Sequence, residues 1–98
     1  MGQPAARLGD MTAHGTPLVP GPGSSNVLIG GKPAWRIAID FHTCPLITVL
    51  IPHVGGVVPM GSVTVLINGL SAVRVGDQII EVAPPNVITQ GEPTVLIG

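Results

Sequence analysis

Residues 26–37 read NVLIGGKPAWRI and residues 64–75 read TVLINGLSAVRV, and the two align without a gap. Val27-Leu28-Ile29 recurs as Val65-Leu66-Ile67, Gly31 as Gly69, Ala34 as Ala72 and Arg36 as Arg74. The chain also opens on PAARLGD (4–10), the second half of such a unit, and closes on TVLIG (94–98), the first half. Joined end to end, TVLIG and GQPAARLGD rebuild the motif across the termini. The pattern is a circle of three copies opened at one turn, and similar units favour similar environments. It predicts a threefold pseudosymmetric body whose termini are adjacent.

Each copy reads as a β-hairpin. Gly follows the VLI run in both complete copies, and Asn68-Gly69 is a strong turn signal because both residues accept positive φ. Fourteen Gly and eleven Pro leave helical periodicity no room to develop. The apolar runs between them are short and β-branched: 27–29, 46–51, 63–67, 72–75, 78–82, 86–89 and 94–97 read as strands. The fold class is all-β, a single domain over residues 1–98, with connections 8–26, 38–63 and 76–94 joining one hairpin to the next.

Composition narrows the function. Charged residues make up 9% of the chain and the formal charge is −1. Arg7, Lys32, Arg36 and Arg74 are scattered rather than clustered, and the aromatics are Trp35 and Phe41, so nucleic-acid binding lacks both its basic face and its stacking platform. Residues 41–73 carry no Asp, Glu, Lys or Arg, but Pro45, Pro52, Pro59 and Gly55-Gly56 interrupt them, which argues against stable membrane insertion. The N-terminus has no signal-peptide pattern, so the chain is expected in the cytoplasm, with any export using a route without a leader.

A domain of this size often needs a staple. One cysteine excludes an internal disulfide, which leaves a metal. His14, His42, Cys44 and His53 are the chain's only His and Cys residues. His42 and Cys44, two apart, share a face in extended backbone. His14 follows Arg7 by seven residues and His42 follows Arg36 by six, so the two hold nearly equivalent places in neighbouring units. Three imidazoles and a thiolate suit a closed structural zinc shell. A catalytic zinc with Asp10 or Asp40 as base, a copper site of two His, Cys44 and Met60, or an inert buried thiol would use the same residues. Gly21-Pro22-Gly23-Ser24-Ser25 lacks the lysine and the helix of a phosphate loop, and no nucleophile elbow surrounds the serines.

PAARLGD, KPAWRI and SAVRVGD, with HTCP, PHVGG and LGDMTAHG, resemble the PAAR-repeat family over essentially the whole chain. The resemblance implies a cone of short strands with a structural zinc near its apex, held by His14, His42, Cys44 and His53. It implies a non-enzymatic tip that sharpens the trimeric valine–glycine-repeat spike of the type VI secretion machine, one copy per trimer. That role brings expectations of a monomer in isolation, of possible effectors as further partners, and of export by the machine itself. A small zinc hydrolase is the alternative. The chain departs from the pattern at RIAID (36–40), which stands where R-x-G-D is expected, so the second-unit turn is expected to differ at Ala38-Ile39. No cysteine stands in the third connection, and no toxin domain is expected after Gly98.

One chain offering three near-equal surfaces could cover all three strand edges at the end of a trimeric spike, edges that otherwise invite aggregation. The VLI strands, through Val27, Ile29, Val65, Ile67, Val95 and Ile97, are the expected contact. Arg7, Arg36 and Arg74 are expected to pair with Asp10, Asp40 and Asp77.

Overall fold

The computed structural model describes residues 2–48, 51–81 and 86–98, with the side chains of 45–48 and 51–53 set aside. Among the described residues there is no helix, and eleven short strands are present. They are β1 (Gln3–Ala5), β2 (Pro20–Gly21), β3 (Leu28–Ile29), β4 (Lys32–Pro33), β5 (Phe41–Thr48), β6 (Ile51–Gly56), β7 (Leu66–Ile67), β8 (Leu70–Ser71), β9 (Gln78–Ile79), β10 (Asn86–Val87) and β11 (Glu92–Ile97). The apolar run 46–51 is divided: Thr48 ends β5 and Ile51 opens β6, while Val49 and Leu50 lie outside the described residues. No helix of the described residues is long and apolar enough to cross a membrane.

The three hairpins share one register. Leu28 pairs with Pro33 and Ile29 with Lys32, and Leu66 pairs with Ser71 and Ile67 with Leu70. Across the termini, Leu96 pairs with Pro4 and Ile97 with Gln3, so the divided unit is rebuilt by β1 and β11. Asn68-Gly69 and Gly30-Gly31 all have positive φ, as a tight two-residue hairpin turn requires.

Backbone pairing closes the circle. Ala5 bridges Arg74, Ala34 bridges Arg7 and Ala72 bridges Arg36, so each unit pairs with the next around a ring. One residue on, the Ala6 N–H donates to Val73 O at 2.9 Å, Trp35 N–H to Ala6 O at 3.0 Å and Val73 N–H to Trp35 O at 3.1 Å. Three chains usually supply threefold symmetry; here one does.

The core is stacked in triangles for the same reason. Ala5, Ala34 and Ala72 pack with Ile29, Ile67 and Ile97 in one cluster. The next holds Ala6, Trp35 and Val73 with Leu18, Val58 and Ile88, joined by Ile79. Strand alternation sends the middle residue of each VLI triplet outward. Leu28, Leu66 and Leu96 are 60%, 63% and 60% exposed, whereas Ile29, Ile67 and Ile97 are 8%, 6% and 5% exposed.

All three arginines hold their expected aspartates. The Arg7, Arg36 and Arg74 backbone N–H groups donate to Asp10, Asp40 and Asp77 at 2.8, 2.7 and 2.8 Å, and each guanidinium clasps the same carboxylate. Hydrogen bonding to Asp10 and Asp40 raises the Arg7 and Arg36 guanidinium pKa values above their ordinary one. RIAID does alter its turn. Ala38 takes the positive φ that Gly9 and Gly76 take elsewhere, and Ile39 adds a residue, so Asp40 sits at i+4 instead of i+3. A side chain with a Cβ is strained there by about 1–2 kcal/mol, more than the about 0.4–1 kcal/mol that a glycine costs by loosening the unfolded chain, so Ala38→Gly should stabilise the chain modestly, read as a higher urea midpoint. An unchanged or lower midpoint would contradict this account of the turn.

Candidate metal centre

The three connections bond to one another in turn. Thr43 N–H donates to Val19 O at 2.8 Å, Ile80 N–H to Val57 O at 3.1 Å and Ala13 N–H to Val87 O at 2.7 Å. His14, His42, Cys44 and Glu81 gather where they meet.

The first connection turns tightly through Thr12–Gly15, where Gly15 N–H donates to Thr12 O at 2.9 Å, and this presents His14. The second runs as the β5–β6 hairpin, in which His42 faces Gly56 and Cys44 faces Val54. Gly55 and Gly56 permit this close approach: a Cβ on Gly55 would strike His42 O, and one on Gly56 would strike Ile80 O. Gly55 thus lets the two strands of the second connection close up, and Gly56 lets that connection lie against the third. His42 and Cys44 are both buried. His53 lies in β6, and its side chain falls outside the described residues.

Cys44 Sγ is 3.7 Å from His14 Nδ1, and His14 Nδ1 is 3.4 Å from Glu81 Oε1. The ligand atoms of His14, Cys44 and Glu81 all lie within 4.8 Å of one another. His42 Nε2 is 3.5 Å from Glu81 Oε2 and 3.2 Å from the Thr16 hydroxyl. Its Nδ1 is 2.9 Å from Pro17 O. A carbonyl only accepts, so Nδ1 carries a proton, and in the neutral ring Nε2 presents its lone pair to the cluster. Asn86 ties the connections together. His14 N–H donates to Asn86 Oδ1 at 3.1 Å, and the Asn86 amide donates to Glu81 Oε2 at 3.0 Å and Thr12 Oγ1 at 2.9 Å.

Imidazole nitrogens, a thiol and a carboxylate converging in a buried space form an acceptor-rich set that a divalent cation satisfies. The sequence reading expected His14, His42 and Cys44 at one place; His14 and Cys44 set their ligand atoms together with that of Glu81, while His42 adjoins this group through Glu81 Oε2. Glu81 escaped that reading. The available signal was strand alternation, since Ile79 is buried, Ile80 exposed and the Glu81 side chain inaccessible. Asp10 and Asp40, the alternative bases, are clasped by arginines. Met60, the alternative copper ligand, is exposed in a groove with Ile37, Val63 and Ile80.

Burial holds the His42 imidazole below the usual histidine pKa, against the pull of the Glu81 carboxylate and Pro17 carbonyl. The unfolded chain therefore binds a proton at His42 that the folded chain resists. Stability from this group is complete above about pH 6.5 and is lost as the pH falls towards the depressed folded value. The metal-free chain should melt at a lower temperature at pH 5 than at pH 7.5, and less so in His42→Gln. A melting temperature that rises on acidification would contradict the assignment.

Three pseudo-equivalent hairpins in one all-β chain, with a metal-capable cluster where their connections meet, define a small self-trimeric module. A protein-family model, the PAAR motif, matches residues 48–98, just over half of the chain. The chain belongs to this family, the PAAR-repeat proteins of the type VI secretion system. The matched stretch contains the third unit, His53 and Glu81, while His14, His42 and Cys44 precede it. A search of the curated proteins finds no match.

Proposed function

We propose that this chain is a non-enzymatic tip of the type VI secretion spike, seated on the trimeric valine–glycine-repeat protein as one copy per trimer. Its cluster of connections is pinned by a structural zinc, and the whole is exported with the machine. The observation that carries the reading is the closed ring of pairings Ala5–Arg74, Ala34–Arg7 and Ala72–Arg36 within one chain. A body so built can meet three identical strand ends at once. The role calls for a cone-like body with the metal towards its point, and the extents of 38 × 26 × 21 Å are those of an elongated one.

Contact with the spike falls to the outward leucines. Ile29, Ile67 and Ile97, with Val27 and Val65 packed against them, serve the core, whereas Leu28, Leu66 and Leu96 repeat around the ring and face out, with Val95 beside the last. Burying a leucine stabilises by about 1.5–3 kcal/mol, so each Leu→Asp exchange should weaken spike binding by roughly 10- to 100-fold or more. Light scattering of the mixed proteins should give one copy per trimer. Three copies per trimer, or a triple leucine variant that binds like the parent, would overturn the reading.

The zinc would be held by His14, His42, Cys44 and His53. His14 and Cys44 bring their ligand atoms together and His42 lies beside Glu81, which supports a metal at this place. When bound, the ion supplies a cross-link between connections that a thin, aromatic-poor core cannot. In structural sites it contributes roughly 10–16 kcal/mol of apparent binding free energy, coupled to folding. The arginine clasp on Asp10 and Asp40 favours this structural role over the hydrolase alternative, because it occupies the carboxylates that would activate water. Effectors carried elsewhere on the machine would find the groove of Ile37, Met60, Val63 and Ile80 open to them.

A further inference from the structure

The expected ligands come from two of the three connections: His14 from the first, and His42, Cys44 and His53 from the second. The third brings a carboxylate to the same place. Resting on the metal-centre reading above, we infer that Glu81, through Oε1, is a ligand of the ion in the place expected of His42, so that all three connections grip it.

Distance is the first support. With zinc–ligand lengths of about 2.0–2.3 Å, two donors on a tetrahedral ion stand about 3.3 Å apart for an N/O pair and about 3.6 Å for an N/S pair. Glu81 Oε1 is 3.4 Å from His14 Nδ1, and Cys44 Sγ is 3.7 Å from the same nitrogen. A direct charge-assisted hydrogen bond would be drawn in to about 2.7–2.9 Å. The His14–Glu81 spacing is that of two groups sharing a cation.

Orientation is the second. The His14 backbone N–H fixes the Asn86 amide by donating to its Oδ1, and that amide holds Glu81 Oε2 at 3.0 Å. Oε1 is thereby turned towards His14 and Cys44.

Charge is the third. Zinc with two neutral imidazoles and one thiolate keeps a net charge of +1, which is costly to bury without a counter-charge. One carboxylate brings the centre to neutrality. Asp10, Asp40, Asp77 and Glu92 each face an arginine, whereas the Glu81 carboxylate, fully inaccessible, faces His14 and His42.

The sequence offers a clean test, because it contains two glutamates, Glu81 and Glu92. Full-length protein labelled with carboxyl-13C glutamate is compared by infrared difference spectroscopy with and without zinc. One of the two labelled carboxylate bands should shift on loading, while that of Glu92, held by Arg7 and Thr94, stays. The shift should vanish in Glu81→Gln, whose zinc affinity, read by chelator competition, should fall by about 100-fold or more, past the loss typical of an outer-shell partner. If Glu81→Gln does not fold, the labelled parent protein alone decides. Stoichiometric zinc with neither labelled band moved, or a Glu81→Gln variant with the parent affinity, overturns the assignment and leaves the metal centre standing. A parent protein that takes up no zinc removes the metal centre itself.

Discussion

Replacing Cys44 by serine should strip the chain of most of its zinc and lower its melting temperature by about 10 °C or more. As a ligand in the proposed zinc centre Cys44 would bind as the thiolate, the softest donor of the set, whereas a serine hydroxyl stays neutral at pH 7. Loss of an outer-shell partner already weakens metal sites by about 10- to 100-fold, and loss of a ligand should exceed that. A fall of about 3 kcal/mol lowers the melting temperature of a domain this size by roughly 12–24 °C. In chelator the two proteins should converge, because Ser and Cys are close in volume and Cys44 sits in a polar cluster beside Thr16 and His14. Calorimetry with and without chelator, together with elemental analysis, separates these arms. A Cys44→Ser protein with stoichiometric zinc and an unshifted transition would remove Cys44 from the ligand set.

Trp35→Ala should be the most damaging change away from the metal centre. In its triangle Ala6 and Val73 occupy the equivalent places, so the indole fills most of the space along the pseudo-axis. It is fully buried, and its backbone belongs to the hydrogen-bonded ring. Truncating a buried Trp costs about 3–5 kcal/mol, a large part of the roughly 5–15 kcal/mol that holds a domain together. The Trp35 Nε1 finds no hydrogen-bond partner among the described residues. Trp35→Phe should therefore cost markedly less, since the loss of area is offset by removing a buried donor. Urea unfolding of the metal-free proteins reads both, and added zinc should recover part of the loss by binding the folded state alone. Equal midpoints for Trp35→Ala and the parent would mean that the axis is not packed as described.

The leucine triangle and Glu81 fell outside the sequence reading for related reasons. The repeat marked VLI as important in each unit, but a three-residue strand gives too short an alternation to say which residues face in. Pairing with Pro33, Ser71 and Pro4 settles it, turning Leu28, Leu66 and Leu96 out. Glu81 stands in QIIEV, where alternation would have put it on the face of Ile79, yet a carboxylate on an inward face has no meaning until its partners are known. Those partners, His14 and Cys44, lie 67 and 37 positions away in the chain. Asn86, which orients both His14 and Glu81, has no sequence signature at all.

What the sequence determined by itself was the ring. Two gapless copies and two complementary halves require that the termini meet, and local turn chemistry at Asn68-Gly69 and Gly30-Gly31 makes each copy a hairpin. The arginine–aspartate clasps were legible for the same reason, because they are local, three or four residues apart. What only the tertiary structure decided was the content of the metal-capable cluster and the outward face of each strand. Both depend on which long connections come together, and that is set by the packing of the stacked core triangles on one another and not by any spacing along the chain.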